Sequence, residues 1–223
     1  MKKYLFLLTL LVLGMGCSTS TPDSALKTNF FPHEDGYSWE YKYTETFGTI
    51  ESIFTTRKYF DKSVTLNNDV IVQKFIVSYE ALSQIAKTKI IVSARVSSLN
   101  SDVNYYYIDE KGVYTYGYEG YPTTEATLFL PLPLQVGKKW SLGHYYSCEA
   151  IAEEKIIVSA GTFNAIKVAL NESNTTESSW YIWYADGVGM VKSYQNLVLY
   201  YFENGSFVQS PGVFVEELVS KNF

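Results

Sequence analysis

Apolar and polar residues alternate with period two along most of this chain, in short β-branched and aromatic stretches bounded by Gly, Asn and Asp. That is the pattern of strands that bury one face. It predicts strands at 37–46, 50–60, 70–79, 88–97, 103–108, 113–118, 139–147, 150–159, 164–171, 179–185, 188–194, 197–203 and 213–219. Only 80–86, with Leu82 and Ile85 three apart, invites one or two helical turns, and 120–135 reads as a long loop. Tyr114, Tyr116 and Tyr118 project to one side of their strand and Thr115, Gly117 and Glu119 to the other, as in a sheet with one wet face. Trp180, Ile182 and Tyr184 oppose Tyr181, Trp183 and Ala185, and 197–202 is apolar on both faces. Those strands need cover twice, from another sheet, from a loop such as 120–135, or from a bound apolar ligand.

The connections predict how the strands pair. Asp186-Gly187 and Asn204-Gly205 have the composition of two-residue hairpin loops with positive φ at both positions, and Glu110-Lys111-Gly112 offers Gly where a three-residue hairpin needs a left-handed residue. Consecutive hairpins make an antiparallel meander. An internal echo adds to this: Pro32, Gly36, Trp39 and Tyr41 recur as Pro133, Gly137, Trp140 and Leu142, displaced by 101 residues and preceded by Phe31 or Leu132. A proline ends one structure, a glycine turns the chain, and an indole begins a strand. The echo predicts two similarly started halves of a sheet.

The amino terminus is of another kind. Lys2 and Lys3 precede an apolar run from Tyr4 to Leu13, followed by small residues up to Cys17, which is the anatomy of a cleaved signal peptide and too short for a bilayer of about 30 Å. Leu13-Gly14-Met15-Gly16-Cys17 resembles the lipobox of bacterial lipoprotein signals, with the Leu one position farther out than usual and Met15 in place of a smaller residue. The resemblance implies lipid attachment at Cys17, by diacylation of its sulfur (palmitate among the usual chains) and acylation of the new amino terminus. Acyl chains contribute about 0.8 kcal/mol per buried methylene, enough for two or three to anchor a protein without a transmembrane helix. Ser18, where an Asp would mark inner-membrane retention, implies an outer membrane facing the periplasm where the cell has one. Polar residues 18–28 form a flexible tether with a typical span of roughly 17–20 Å.

Composition narrows the function more than it identifies it. The 223 residues are 47% hydrophobic and 17% aromatic, so the bulk of the chain has the apolar surface that folding requires. Removing the leader takes away two Lys and no acid, moving the formal charge from −5 to −7, and the only arginines are Arg57 and Arg95. Such a domain has no footprint for nucleic acid and no polybasic run for anionic lipid. With Cys17 read as acylated, one Cys and two His remain, too few for a four-ligand zinc or iron–sulfur site or for a disulfide framework. Gly187-Val188-Gly189 lacks the third glycine and helix of a dinucleotide fingerprint. No cofactor and no metal are expected.

The stretch from Gly161 to Val168, Gly-Thr-Phe-Asn-Ala-Ile-Lys-Val, followed by Trp183-Tyr-Ala-Asp-Gly-Val-Gly-Met-Val-Lys192, resembles a widespread family of uncharacterised bacterial secreted proteins and lipoproteins of unknown function. Its members share a Pro, Gly and Trp start like 32–39. The resemblance spans most of 30–223 and implies a curved antiparallel β fold with no established activity. More distantly, such curved sheets resemble the half-barrels of lipoprotein carriers, an analogy of fold alone.

The chemistry-bearing candidates are few. His144 and Cys148 would lie about 13 Å apart on one straight strand, out of contact, and a free Cys is more often a buried small hydrophobe than a nucleophile. Glu153 and Glu154 are adjacent on a strand and point apart, which suits solvated edge charge and not paired acid and base. Twenty tyrosines offer either ordinary half-buried sheet packing or an aromatic platform. The candidate ligand-facing aromatics are Tyr114, Tyr116, Tyr118, Trp180 and Tyr184. The expectation is an all-β protein, an antiparallel meander forming a curved sheet, half-barrel or sandwich. It has a signal peptide at 1–16, a lipidated Cys and tether at 17–28 and one β domain at 29–223. Its role is a lipid-anchored, non-enzymatic binding or structural module of the cell envelope, whose partners are the membrane and an envelope protein or apolar ligand. The alternatives are a carrier of a lipid or other apolar molecule on a concave aromatic face, and a hydrolase without a recognisable motif.

Overall fold

Strand formation follows the alternation, and pairing follows the hairpins. The structure, a computed structural model, describes residues 29–67, 69–81, 101–144, 146–172, 178–203 and 206–223. Residues 1–28, read above as signal peptide, Cys17 and tether, the strand predicted at 88–97, residues 82–86 of the helical stretch and the Asn204-Gly205 loop lie outside the described residues.

Twelve strands form one antiparallel sheet: β1 (Ser38–Phe47), β2 (Ile50–Thr65), β3 (Ile71–Ala81), β4 (Asp102–Ile108), β5 (Gly112–Tyr118), β6 (Tyr121–Pro131), β7 (Lys139–Leu142), β8 (Tyr146–Val158), β9 (Gly161–Glu172), β10 (Ser179–Ala185), β11 (Gly189–Glu203) and β12 (Ser206–Lys221). The order is β6-β5-β4-β3-β2-β1-β12-β11-β10-β9-β8-β7. The chain therefore starts in the middle, meanders to one edge, crosses through 132–138 to the other edge, and meanders back until β12 pairs with β1. The sheet curls until its two edges meet. There the Trp140 indole on β7 donates to the Phe129 carbonyl on β6 at 3.1 Å. The result is a nearly closed barrel and not a sandwich.

The two six-stranded halves begin alike. Gly36 N–H donates to Phe60 O and Phe60 N–H to Tyr37 O. In the second half Gly137 N–H donates to Ala150 O and Ala150 N–H to Lys138 O. One end of the barrel is filled by what lies before these corners: Phe30 and Leu134 are buried there, and Phe31 packs against the core. The C-terminus helps, with Phe223 stacked on Tyr37 at 4.2 Å. The tip of the β8–β9 hairpin reaches across too, Ala160 N–H donating to Leu218 O at 3.1 Å.

Several expectations need correction. Segment 120–135 is largely strand β6, whose prolines sit where an edge strand tolerates them. The strand predicted at 139–147 is two strands with a turn at Gly143-His144, and those at 188–194 and 197–203 are one. Glu80 and Ala81 end β3 and form no helix. At the β10–β11 turn Gly187 has φ +67° but Asp186 is not left-handed, and Ala185 pairs with Gly189, so three residues turn where two were expected. Gly112 is not left-handed either. The Asp109 carboxylate holds that turn by accepting from Lys111 N–H and Gly112 N–H. Gly112 is needed because a Cβ there would sit 2.8 Å from the Leu130 carbonyl of β6.

Candidate functional site

The inner wall of the barrel is set by alternate residues of successive strands. On β1 these are Trp39, Tyr41, Tyr43 and Glu45, and on β2 Phe54, Thr56, Lys58 and Phe60, register partners or diagonal neighbours across the ladder. On β12, Phe214, Glu216 and Leu218 continue the same face. Near the plugged end this face is tightly packed at Phe60 and Leu218, both no more than 1% exposed. Farther along it is not.

Two adjoining cavities occupy the rest. The inner one, about 240 Å³, lies against the plug and is lined mostly by apolar and aromatic groups, among them Phe31, Phe75, Phe129, Ile182 and Tyr184. The outer one, about 670 Å³, opens toward the other end past Tyr43, Tyr79 and Tyr118. They share Lys58, Val77, Asn104, Trp180, Ser193 and Glu216 as a common waist. The outer volume alone falls within the roughly 300–1,000 Å³ of small-molecule sites.

Charge at the waist is organised. Lys58 Nζ lies 2.6 Å from Glu216 Oε2, and Thr56 Oγ1 donates to Glu216 Oε1 at 2.7 Å. Lys58 also sits 4.8 Å from the centre of the Tyr41 ring. The side chains of Lys58 and Glu216 are only 16% and 11% exposed, so each is the other's compensation for lost water. The phenols around the inner cavity stay protonated at neutral pH. Burial pushes Tyr41, Tyr106 and Tyr184 well above the usual phenol range, with further upward pushes on Tyr41 from Glu216 and on Tyr184 from Tyr106. The Tyr41 hydroxyl donates to Met190 O at 2.9 Å. Trp180, in contrast, has its indole nitrogen buried with no hydrogen-bond partner.

The five sequence-predicted aromatics are divided by this geometry. Trp180 lines both cavities, Tyr184 the inner and Tyr118 the outer. Tyr114 and Tyr118 do not share a face: β4 advances two residues from Asn104 to Tyr106 while β5 spans three from Thr115 to Tyr118. That bulge leaves Tyr114 opposite the exposed Tyr107, rings 6.1 Å apart, and Tyr116 on neither cavity wall. Reading residues alone missed Lys58, Glu216, Glu45 and Asn104. The available signal was a charged residue in the inward phase of an apolar strand, as Glu216 stands between Phe214 and Leu218.

His144 and Cys148 are not brought together. His144 is exposed in the β7–β8 turn, whereas Cys148 is 3% exposed on β8, its thiol pushed up to about 11 by burial. Glu154 is a solvated charge with partners, its side chain 38% exposed. On the outer wall it accepts from the Trp183 indole at 2.8 Å and meets Lys167 at 3.4 Å, while Lys167 lies over the Tyr181 and Trp183 rings at 4.4 and 5.1 Å. This cluster covers the outer face of β10 that the sequence left in need of cover. Glu153, next to it, is exposed.

No protein-family model and no curated protein matches the chain. Two solved structures align with it. One is a protein of Bacteroides fragilis described as exported and as having a YmcC-like fold, with TM-score 0.47 and 13% identity over 88% of this chain and 100% of that chain. The other, from Parabacteroides distasonis, is described as a lipoprotein, with TM-score 0.47 and 18% identity over 88% of this chain and 99% of that chain.

Proposed function

We propose that this is an exported envelope protein, anchored through acylated Cys17, whose barrel interior takes an apolar or amphipathic guest. The observation that supports the binding half is the open interior beside Trp180 and Tyr184: a sheet this rich in rings could have filled its centre, and instead leaves a waist leading from a polar mouth to an apolar floor. The anchoring half rests on the leader, Lys2-Lys3, the apolar run to Leu13 and the lipobox-like approach to Cys17. In this reading the protein carries or senses its guest and performs no chemistry on it.

The test uses the full chain exported from bacteria and purified from membranes in a non-ionic detergent. Native mass spectrometry is expected to show a retained small-molecule mass on the wild type and none on Ser193→Trp, which fills the waist. Identical spectra for the two would retire the binding reading. The same measurement is expected to show Cys17 as the acylated amino terminus, and an unmodified Cys17 would retire the anchor.

A further inference from the structure

We infer that Trp180 reads a carbonyl oxygen: the guest is an acyl compound whose ester or amide lies at the waist, its polar head in the outer cavity and its chain in the inner one. This names the chemistry of the binding reading above and rests on it. The chain has four tryptophans, and three of them give their indole N–H to an acceptor of the protein. Trp39 donates to Val188 O at 2.6 Å, Trp140 to Phe129 O at 3.1 Å and Trp183 to a Glu154 carboxylate oxygen at 2.8 Å. Trp180 has its indole nitrogen buried with no hydrogen-bond partner among the described residues. It is also the one of the four that lines both cavities. A buried donor left unpaired is costly, so an unpaired indole beside open space, in a fold that pairs the other three, is a donor held for something that arrives.

The neighbours of Trp180 suit a neutral acceptor. Tyr146 stands perpendicular to it, ring centres 5.8 Å apart, and a ring face is a second-order acceptor. Asn104 and Ser193 line both cavities beside it, an amide and a hydroxyl that can each donate and accept. Lys58 and Glu216, at the same level, are joined to each other at 2.6 Å. A carbonyl finds hydrogen-bonding partners there without having to break an ion pair. Past the waist, Phe31, Phe75, Phe129 and Ile182 offer an acyl chain an apolar lining, while the outer cavity leaves room for a polar head. The indole nitrogen is closed to water as packed, so it meets the carbonyl by a turn of the ring into the space that Trp180 lines.

The experiment uses the full acylated chain, stripped of retained guest on a hydrophobic resin and held in nanodiscs of diether phosphatidylcholine, which carries no ester to compete. Three probes share a hexyl-length chain and a diol head: 1-hexanoylglycerol, N-hexanoylserinol and 1-hexylglycerol ether, the last without a carbonyl. Calorimetric titration of the wild type is expected to show the ester or the amide binding at least about tenfold tighter than the ether, and the tighter of the two identifies the linkage. In Trp180→Phe, which keeps a ring and loses the N–H, that advantage is expected to fall to about twofold or less. On protein labelled with 15N at its indoles, the signal missing from Trp180→Phe is expected to move downfield with the carbonyl probe and not with the ether. The ranking of the probes and the indole shift are read on the wild type, so they survive a variant that folds poorly. Equal affinity for all three probes, or an unmoved Trp180 signal, overturns the carbonyl while leaving an interior that binds. A preference kept in full by Trp180→Phe gives the carbonyl to another donor and overturns Trp180. No binding of any probe by the wild type overturns the interior reading and this inference with it.

Discussion

The two corners that begin the halves of the sheet are the same device put to different uses. In each, a turn closes with an N–H to a carbonyl three residues back, Tyr37 to Glu34 at 3.0 Å and Lys138 to Gln135 at 3.1 Å. In each a left-handed glycine sits inside that turn, Gly36 at φ +84° and Gly137 at φ +91°, and donates to the neighbouring strand. In each a tryptophan then begins a strand and gives its indole N–H to a distant carbonyl. For Trp39 that carbonyl is Val188, in the β10–β11 turn of the other half, at 2.6 Å. For Trp140 it is Phe129, on the opposite edge of the sheet, at 3.1 Å. The first corner ties two halves already joined by the β1–β12 ladder. The second stands in for backbone pairing at the β6–β7 seam. A local sequence can thus fix a corner without fixing what it fastens, which depends on the strand it happens to face.

Breaking the comparison at the indoles gives the largest effect. Trp39 is 4% exposed, with the rings of Phe223, Phe60 and Phe75 at 5.2, 6.0 and 6.2 Å. Trp39→Ala is expected to cost about 3–5 kcal/mol, as deletion of a buried indole does. Trp140 is half-buried, and Trp140→Ala is expected to cost about 1.5–2.5 kcal/mol, from partial burial and one hydrogen bond. Urea unfolding of the two variants reads the difference. Hydrogen exchange should also rise along β6 and β7 in Trp140→Ala only. Equal costs would mean that the seam is held by something other than this indole.

The glycines sharpen the comparison instead. A Cβ added at Gly36 or Gly137 meets nothing within 4 Å, so Gly→Ala at either position adds backbone strain and no clash. Each is expected to cost about 1–2 kcal/mol. The two values should agree within about 0.5 kcal/mol in the same urea titration, and a larger gap would show that the corners are alike in pattern only.

How much of this could be read from residues follows from the range of each signal. Strand alternation, the Gly and Asn punctuation and the Pro-Gly-Trp echo are local, and they predicted the meander and its two similar starts. Strand β6 carries Pro122 and Pro131, residues a paired strand rarely holds, and it fits because Pro122 falls opposite Gly117 at a bulge and Pro131 ends an edge strand. The polar Gln195-Asn196 pair read as a break but continues the ladder, Asn196 facing Ser179 on one side and Val213 on the other. The cavity depends on register across strands far apart in sequence. Trp180, Tyr184 and Tyr118 could be suspected as rings, but nothing near Lys58 announces that Glu216 will lie 2.6 Å away.

The position beside each indole marks how far the halves have diverged, and it yields the smallest effect at neutral pH. Across the ladder Trp39 faces Lys58, whereas Trp140 faces Cys148. One half places a paired charge at the waist of the cavity, and the other places a buried thiol against Leu170. Burial raises that thiol from an ordinary 9.0 to about 11. At pH 7 it is protonated whether the chain is folded or not, so it gives no pH dependence there. Because the folded value is the higher one, its contribution to stability is whole below about pH 9 and is lost as pH rises toward 11. Tyr106 and Tyr184, raised by burial in the same direction, extend that alkaline loss upward. Where the sulfur of Cys17 is acylated, Cys148 is the only thiol to read. Alkylation by iodoacetamide at pH 8 is expected to be slower in the folded protein by a factor on the order of 100, the drop in thiolate fraction alone, and faster again in urea. Equal rates in the two conditions would place Cys148 in water and undo its equivalence to the enclosed Lys58.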